Sequence, residues 1–293
     1  MSVDGPDLVV HTRRGPVRVQ RSAVTAVRAV PPAVPRRASL SAIARLEALC
    51  ADAWPALVEE RLGAWRLRAA GGYTGRANAA LAIGDPGMPT AAALDVARAF
   101  ADRHGIGPRV QVPMGSPWDK AVSAAGWVLD EGHAAGAVVS VQVADLEVLA
   151  GTADHEGKRP STQAEWAEAT SPDDAWWQLV LGGGPPSTAQ RHVLASPSTA
   201  GFLLLRDEAG TAVGAGRAVV VDDHAHLSVL TVDPDRRRRG HGTRLLGAAA
   251  EWGRERGARW GVLQVAVHNS AALALYTRTG WTEHHRYRYL VPA

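Results

Sequence analysis

The residues best suited to chemistry lie in one short basic segment, residues 230–243, which reads Leu-Thr-Val-Asp-Pro-Asp-Arg-Arg-Arg-Arg-Gly-His-Gly-Thr. Glycines at 240 and 242 remove side chains from the segment, so successive backbone N–H groups can turn toward one bound anion. A helix predicted from Thr243 would add the positive end of its dipole. The segment predicts a diphosphate site. Taken alone, the Arg-x-x-Gly-x-Gly pattern favours a basic turn whose arginines are only hydrated, and its place between a predicted strand and a predicted helix is what favours the anion site. It matches neither the Lys-Ser/Thr ending of a P-loop nor the glycine spacing of a dinucleotide fingerprint.

A second group of candidate residues lies on the helix predicted over Ser270–Thr279, after a strand predicted over Gly261–Val267. Asn269 is a suitable N-cap for that helix, and Gly280 a suitable C-terminal stop. Tyr276 carries a phenol, which can donate a proton to a developing anion. The structural alternatives are that Asn269 serves only as a cap and that the Tyr276 ring only packs on the core.

In this order and spacing, the motifs resemble those of the GCN5-related N-acetyltransferase (GNAT) family, and the resemblance covers Phe202 to Tyr289. It implies that acetyl-CoA is the co-substrate, with its diphosphate on the amides of Arg238 to Thr243. Tyr276 would act as the catalytic acid on the departing thiolate. The implied binding residues are Leu230, Thr231, Val232, Arg237, Arg238, Arg239, Gly240, His241, Gly242, Thr243 and Asn269.

The family's general base is where the sequence departs from the pattern. Many members have a glutamate five residues before the asparagine, and this chain has Gln264, whose amide does not accept a proton at neutral pH. The substitutes that remain open are water and a set of nearby titratable residues: His224, His226, His268 and Glu283.

The two halves of the chain repeat each other with an offset of about 153 residues. The segment from Thr90 to Gly126-Trp127 has the same pattern as the segment from Thr243 to Gly280-Trp281. The first copy has Gly-Asp-Pro-Gly-Met-Pro at 84–89 in place of the basic loop, and its prolines have no N–H to offer an anion. Counted from the closing glycines, Val122 replaces Tyr276 and Gly115 replaces Asn269. We therefore expect a degenerate first half that has lost cofactor binding.

These elements predict an α/β fold with two tandem GNAT-like domains, each a mixed, mostly antiparallel sheet flanked by helices. We predict a small β arm at 1–36, resembling part of an SH3-like barrel, a degenerate domain at 37–150 and a catalytic domain at 151–293. Helices are expected from Leu40 to about Glu60 and around Trp166. The whole chain resembles tandem actinobacterial acetyltransferases of the type labelled N-acetylglutamate synthase.

Composition narrows the functional classes. The chain has 293 residues, a net charge of +3 and a single cysteine, which excludes an internal disulfide and a multi-cysteine metal site. We assign no metal. No apolar run is long enough for a membrane span, so we predict a cytoplasmic protein with no membrane partner. Residues 1–37 carry seven arginines and two aspartates. A G+C-rich genome also favours arginine, so the sequence does not favour nucleic acid as a partner.

The predicted function is an acetyl-CoA-dependent N-acetyltransferase in which a primary amine attacks directly in a ternary complex. The expected acceptor is a small molecule such as the α-amino group of glutamate or another amino acid, because arginines near the site can hold a carboxylate. The alternatives are a non-catalytic sensor of acyl-CoA or amino acids, and transfer to a protein, polyamine or antibiotic amine. The oligomeric state stays open.

Overall fold

The computed structural model describes residues 2–4, 7–12, 15–25, 38–152, 163–167 and 172–293. The chain divides into two compact units, Met1–Arg36 and Arg37–Ala293. The first contains an antiparallel sheet of three strands, β1 (Ser2–Asp4), β2 (Asp7–Thr12) and β3 (Gly15–Gln20), in that order. A single turn of 3-10 helix follows at Arg21–Ala23. Residues 26–37 lie outside the described residues.

The second unit combines helices with one large sheet. The helices are α1 (Leu40–Asp52), α2 (Thr90–Arg103), α3 (Pro117–Ala124), α4 (Leu146–Thr152), α5 (Asp174–Leu181), α6 (Thr188–Ala195), α7 (His241–Glu255) and α8 (Ser270–Arg278). The strands are β4 (Val58–Leu62), β5 (Trp65–Ala69), β6 (Ala80–Leu81), β7 (Val110–Pro113), β8 (Trp127–Leu129), β9 (Val138–Asp145), β10 (Gln163–Ala167), β11 (Ala200–Arg206), β12 (Ala212–Val221), β13 (His224–Val232), β14 (Trp260–Ala266) and β15 (Thr282–Pro292).

The sheet is mixed and mostly antiparallel, which confirms the predicted fold class. Its strand order is β10-β11-β12-β13-β14-β9-β15-β7-β6-β5-β4, and β8 pairs with β15. The parallel pairs are β6 with β7 and β13 with β14. In each pair the crossover contains one long helix, α2 or α7. The repeat seen in the sequence therefore reappears as two copies of the same crossover.

The two halves share this sheet by exchanging strands. The strand β9, from the first half of the chain, lies between β14 and β15 of the second half. In return, β15 continues past β9 and pairs with β7 and β8. The described hydrogen bonds thus run without a break across the seam between the halves. The domain boundary at 150/151 stays a prediction, and residues 153–162, just after it, lie outside the described part.

The core has a layer on each face of the sheet. On one face, α4, α7 and α8 cover a cluster that includes Leu246, Trp252, Leu263 and Trp281. Because successive strand residues point to opposite faces, Val262 joins a different cluster, under α1. Burying an aromatic or large aliphatic side chain contributes about 1.5–3 kcal/mol, so both layers hold the seam together.

Most long elements lie where the sequence predicted them, with two errors. The helix from Leu40 ends at Asp52, and Val58–Leu62 is a strand paired with β5, because Pro55 interrupts the helix and the sheet edge then takes the chain. The helix predicted around Trp166 is wrong, since Gln163–Ala167 is a strand that pairs along β11. Within the described ranges, no helix is long and apolar enough to cross a membrane.

Candidate functional site

The candidate site begins where β13 separates from β14. The two strands pair only from His224 and Trp260 to Leu227 and Leu263. Residues 228–232 of β13 continue beyond that point, paired on the other side with β12. The register with β12 shifts between Ala215 and Arg217, and Val229 has a positive φ of 47°. This bulge bends the strand and opens a V-shaped split in the sheet.

The split exposes the backbone of Leu230 and Val232, two of the binding residues predicted from the sequence. The Asp233 N–H donates to the Val213 carbonyl at 3.0 Å, so it points toward β12. Because backbone groups alternate along a strand, those of Leu230 and Val232 point the other way, into the split. Thr231 lies opposite Ala215 on the paired side.

The basic loop folds into a concave turn before α7. A turn of 3-10 helix at Pro234–Arg236, capped by Asp233, leads into Arg238 with φ of 57° and Gly240 with φ of 81°. Left-handed conformations favour glycine, and an arginine there is strained by about 1–2 kcal/mol. Left-handed residues within a turn can aim consecutive backbone N–H groups at one point.

The amides of residues 238–243 make no hydrogen bond to any part of the chain that the structure describes. Gly240 is the N-cap of the 15-residue α7 and has no side chain to cap it. Unsatisfied donors at a helix start are normally capped, hydrated or bound to a ligand. This arrangement suits a diphosphate, whose oxygens accept several hydrogen bonds at once.

The arginines of the loop lie around it at the surface. The Arg237 Nε donates to the Val232 carbonyl at 3.3 Å, and Arg239 donates to the Asp235 carbonyl at 3.4 Å. Arg238 is exposed and has no ion pair with a described residue. Burial, followed by the charges of Arg239 and Arg236, lowers the pKa of His241. The loop is therefore strongly positive.

The helix α8 packs directly on the start of α7. A Cβ on Gly242 would lie 2.9 Å from Leu275 Cδ2, so only glycine permits this approach without displacing a side chain. Thr243, the residue after Gly242 in α7, is buried. The contact fixes Tyr276 close to the basic loop.

Tyr276 is a buried phenol with an unused hydroxyl. The residue is 8% exposed, and its ring packs 5.9 Å from that of Trp281. Burial raises its pKa to about 12, so it holds its proton at any physiological pH. Its hydroxyl makes no hydrogen bond to another described residue. The ring does pack on the core, as the structural alternative held, and the hydroxyl is left available.

Asn269 is the N-cap of α8, with its Oδ1 accepting from the Ala272 N–H at 3.1 Å. This confirms the capping expectation, and the residue is still exposed. The first-half counterpart at the helix start is Ser116, which caps α3, rather than Gly115. The difference arises because α8 is one residue longer than α3.

The residues proposed as substitutes for a general base occupy very different surroundings. His224 is bonded to Asp223 at 2.7 Å, and Glu283 accepts from Ser140 and Arg286. His268 is exposed. His226 is fully buried, and burial, then the charges of Arg76 and Arg217, lower its pKa far below the usual range.

Gln264 has a partner that sequence reasoning missed. Its Oε1 accepts from Arg76 at 3.1 Å, across 188 positions of the chain. The Arg76 guanidinium also stacks over the Trp54 ring at 4.5 Å. Both residues belong to the first half, and no local motif marks them, since only the seam brings them to Gln264.

Cys50 lies on the buried face of α1, and burial raises the pKa of its thiol. In the ranges that the structure covers, no three His, Cys, Asp or Glu side chains lie together as metal ligands do.

Comparison with known proteins supports the relationship that the split and the loop suggest. A family model described as "Probable histone acetyltransferase Rv0428c C-terminal" matches residues 40–290. The "Uncharacterized N-acetyltransferase YobR" of Bacillus subtilis (strain 168) is 28% identical over 255 residues, which are 83% of this chain and 97% of that protein.

Solved structures show the same fold. A GCN5-related N-acetyltransferase from Kribbella flavida superposes with a TM-score of 0.62 at 14% identity, over 84% of this chain and 94% of the other. A tandem GNAT protein from the clavulanic acid biosynthesis pathway superposes with a TM-score of 0.56 at 15% identity, over 91% and 89% of the two chains. The chain therefore belongs to the family of that matching model and is an N-acetyltransferase of the GNAT superfamily.

Proposed function

We propose that the protein transfers an acetyl group from acetyl-CoA to a primary amine by direct attack in a ternary complex. The observation that carries the proposal is the row of unbonded amides at residues 238–243, beside the split between β13 and β14. Those amides and the loop arginines, Arg237 to Arg239, would bind the diphosphate. The backbone groups of Leu230 and Val232 would bind the pantetheine arm and polarise the thioester carbonyl, and the side-chain amide of Asn269 would assist.

Tyr276 supplies the acid. The amine nitrogen forms a C–N bond with the acetyl carbon, the C–S bond breaks, and the thiolate takes the phenol proton. A pKa of about 12 keeps that proton in place until the thiolate develops. The amine gives up its proton to water, because Gln264 cannot accept one. Tyr276 then recovers a proton from solvent.

In this proposal the residues 151–293 form the catalytic half and residues 37–150 the degenerate one. The first half keeps a role, since Arg76 reaches the second half at Gln264. The acceptor named by the family model is a histone. Small amino acids, polyamines and antibiotic amines are the other classes to be separated by experiment.

The test measures release of CoA thiol from acetyl-CoA with a panel of amines, together with the rise in melting temperature caused by acetyl-CoA. We expect acetyl-CoA to raise the melting temperature and at least one amine class to release CoA. A rise in melting temperature without release of CoA on any amine would instead favour the alternative function, a non-catalytic sensor of acyl-CoA or amino acids. A missing thermal shift would overturn the cofactor site.

A further inference from the structure

A cavity of about 480 Å³ lies on the seam between the two halves. Arg76 and Arg109 line it from the first half, Gln264 from β14, and Tyr287 and Tyr289 from β15. Gln264 is the first residue of β14 after its last pair with β13, Leu263 with Leu227. The cavity therefore adjoins the apex of the split, and its size is that of a small-molecule site.

The cavity lining contains cationic side chains and no carboxylate of its own. It has two arginines but no aspartate or glutamate among the described residues, and burial lowers the pKa of its histidine, His133, which disfavours a positive charge there. Arg109 is neutralised from outside by Asp130 at 2.8 Å. Arg76 is half-buried and forms no ion pair with a described residue. A cation removed from water is normally paired, so Arg76 lacks an anion that a ligand can supply.

A second guanidinium strengthens this excess of positive charge. Arg217 is 1% exposed, lies 5.1 Å from the Trp54 ring, and donates only to carbonyls and to the Ser228 hydroxyl. Burial, then the charge of Arg76, lowers its pKa to about 9, so it is still protonated at neutral pH. Two cations thus lie near one indole without a carboxylate between them.

The loop that carries Arg76 is held in place before any ligand arrives. Asn78 is 2% exposed; its Oδ1 accepts from the amides of Ala70 and Gly72, and its Nδ2 donates to the carbonyls of Tyr73 and Thr74. Because the loop is already ordered, binding at Arg76 does not have to order it.

Gln264 explains why the Arg76 charge stays uncompensated. A glutamate at this position would form an ion pair with Arg76. The neutral amide orients the guanidinium at 3.1 Å and leaves its charge to a ligand.

We propose that Arg76 binds the carboxylate of the acetyl acceptor, so that the substrate class is a small amine bearing a free carboxylate, such as an amino acid. This inference rests on the proposed function. The carboxylate lies at Arg76, and the amine points toward the split. A lysine side chain or a polyamine brings no anion and would place its own positive charge beside the Arg76 guanidinium.

The experiment compares kcat/KM for free L-amino acids, dicarboxylic ones included, with kcat/KM for their carboxamides, for lysine peptides and for spermidine. We expect the wild type to prefer acids over their amides by about 10²-fold. The change Arg76→Met removes that preference, mainly through a higher KM for the acid, and leaves the acetyl-CoA thermal shift unchanged. Gln264→Glu raises KM for acids relative to KM for their amides, because it supplies an internal carboxylate to Arg76.

Arg98→Met is the matched control, since Arg98 also stacks over a tryptophan, Trp127 at 5.3 Å, but pairs with Asp95 and lies outside the cavity. We expect Arg98→Met to keep the preference for acids over their amides. Turnover of amides or lysine peptides as good as that of acids overturns the inference and leaves the acetyltransferase proposal standing. A panel without any turnover overturns the inference too, and only a missing acetyl-CoA shift removes the cofactor site as well.

Discussion

The two crossover loops of the molecule have the same position in the repeat and opposite chemistry. In the second half, β13 runs past its parallel partner into six unbonded amides at the start of α7. In the first half, β6 ends at Leu81, and its parallel pairing with β7 continues through the Ala82 N–H. Sheet, crossover helix and following helix are all retained, but only one copy opens a split.

The loop at 84–89 is also filled from within. The Asp85 carbonyl accepts from Ala64, and the Asp85 carboxylate accepts from the Gly87 N–H at 2.8 Å. Pro86 and Pro89 have no N–H to offer. An anion would therefore meet a carboxylate and few donors. A fold can keep its core while losing a ligand, because the core depends on side-chain burial and the anion site on backbone N–H groups.

The largest expected effect separates the two loops directly. Gly240 and Gly87 have φ values of 81° and 76°, so valine at either position strains the backbone to a similar degree. We expect both variants to lose about 1–2 kcal/mol of stability. Only Gly240→Val should lose the rise in melting temperature caused by acetyl-CoA. Loss of that rise in Gly87→Val as well would show that the loops are not functionally different.

The second effect concerns the counterparts Tyr276 and Val122. We expect Tyr276→Phe to lower kcat about 10²-fold or more, because it removes the acid, without changing the affinity for acetyl-CoA. Its stability should change little, since the hydroxyl has no partner among the described residues. Val122→Ala, in the buried core of the first half, should cost about 2 kcal/mol of stability and leave kcat intact. An unchanged kcat in Tyr276→Phe would remove it from the mechanism.

The third effect is on stability as a function of pH. Burial, followed by the charges of Arg76 and Arg217, lowers the pKa of His226 in the folded chain. Below the unfolded-state pKa near 6.5, the His226 side chain is therefore protonated in the unfolded chain and neutral in the folded chain. The free energy of unfolding should then fall by up to about 1.4 kcal/mol per pH unit from this residue. His226→Leu should flatten the decline in denaturant titrations between pH 7 and 5. The less buried His133→Gln should change it less, and an equal change would contradict this assignment.

The smallest expected effect is no change at all in the number of acetyl-CoA molecules bound per chain. Asp85→Asn removes the carboxylate from the first-half loop, but the prolines and the short β6 stay. Calorimetry should give one acetyl-CoA bound per chain in the wild type and in this variant. A second equivalent in Asp85→Asn would mean that the carboxylate alone had closed the first site.

Local patterns predicted the elements that carry the candidate site. Glycines and caps placed α7 and α8, and the loop between β13 and α7 was recognised from its glycines and arginines. The strand at Gln163–Ala167 was mistaken for a helix. A short apolar pattern does not show that the segment will pair with a distant strand, here β11. The contact between Arg76 and Gln264 had no local signal at all.

The sequence by itself determined which crossover loop has free backbone N–H groups and which has prolines, because glycine, proline and helix-start preferences act over a few residues. Only the tertiary structure decided that β9 lies between β14 and β15, and that Arg76 and Trp54 therefore reach the apex of the split. A strand's alternation fixes which face each side chain takes, but its neighbour is chosen by long-range packing that no short segment encodes.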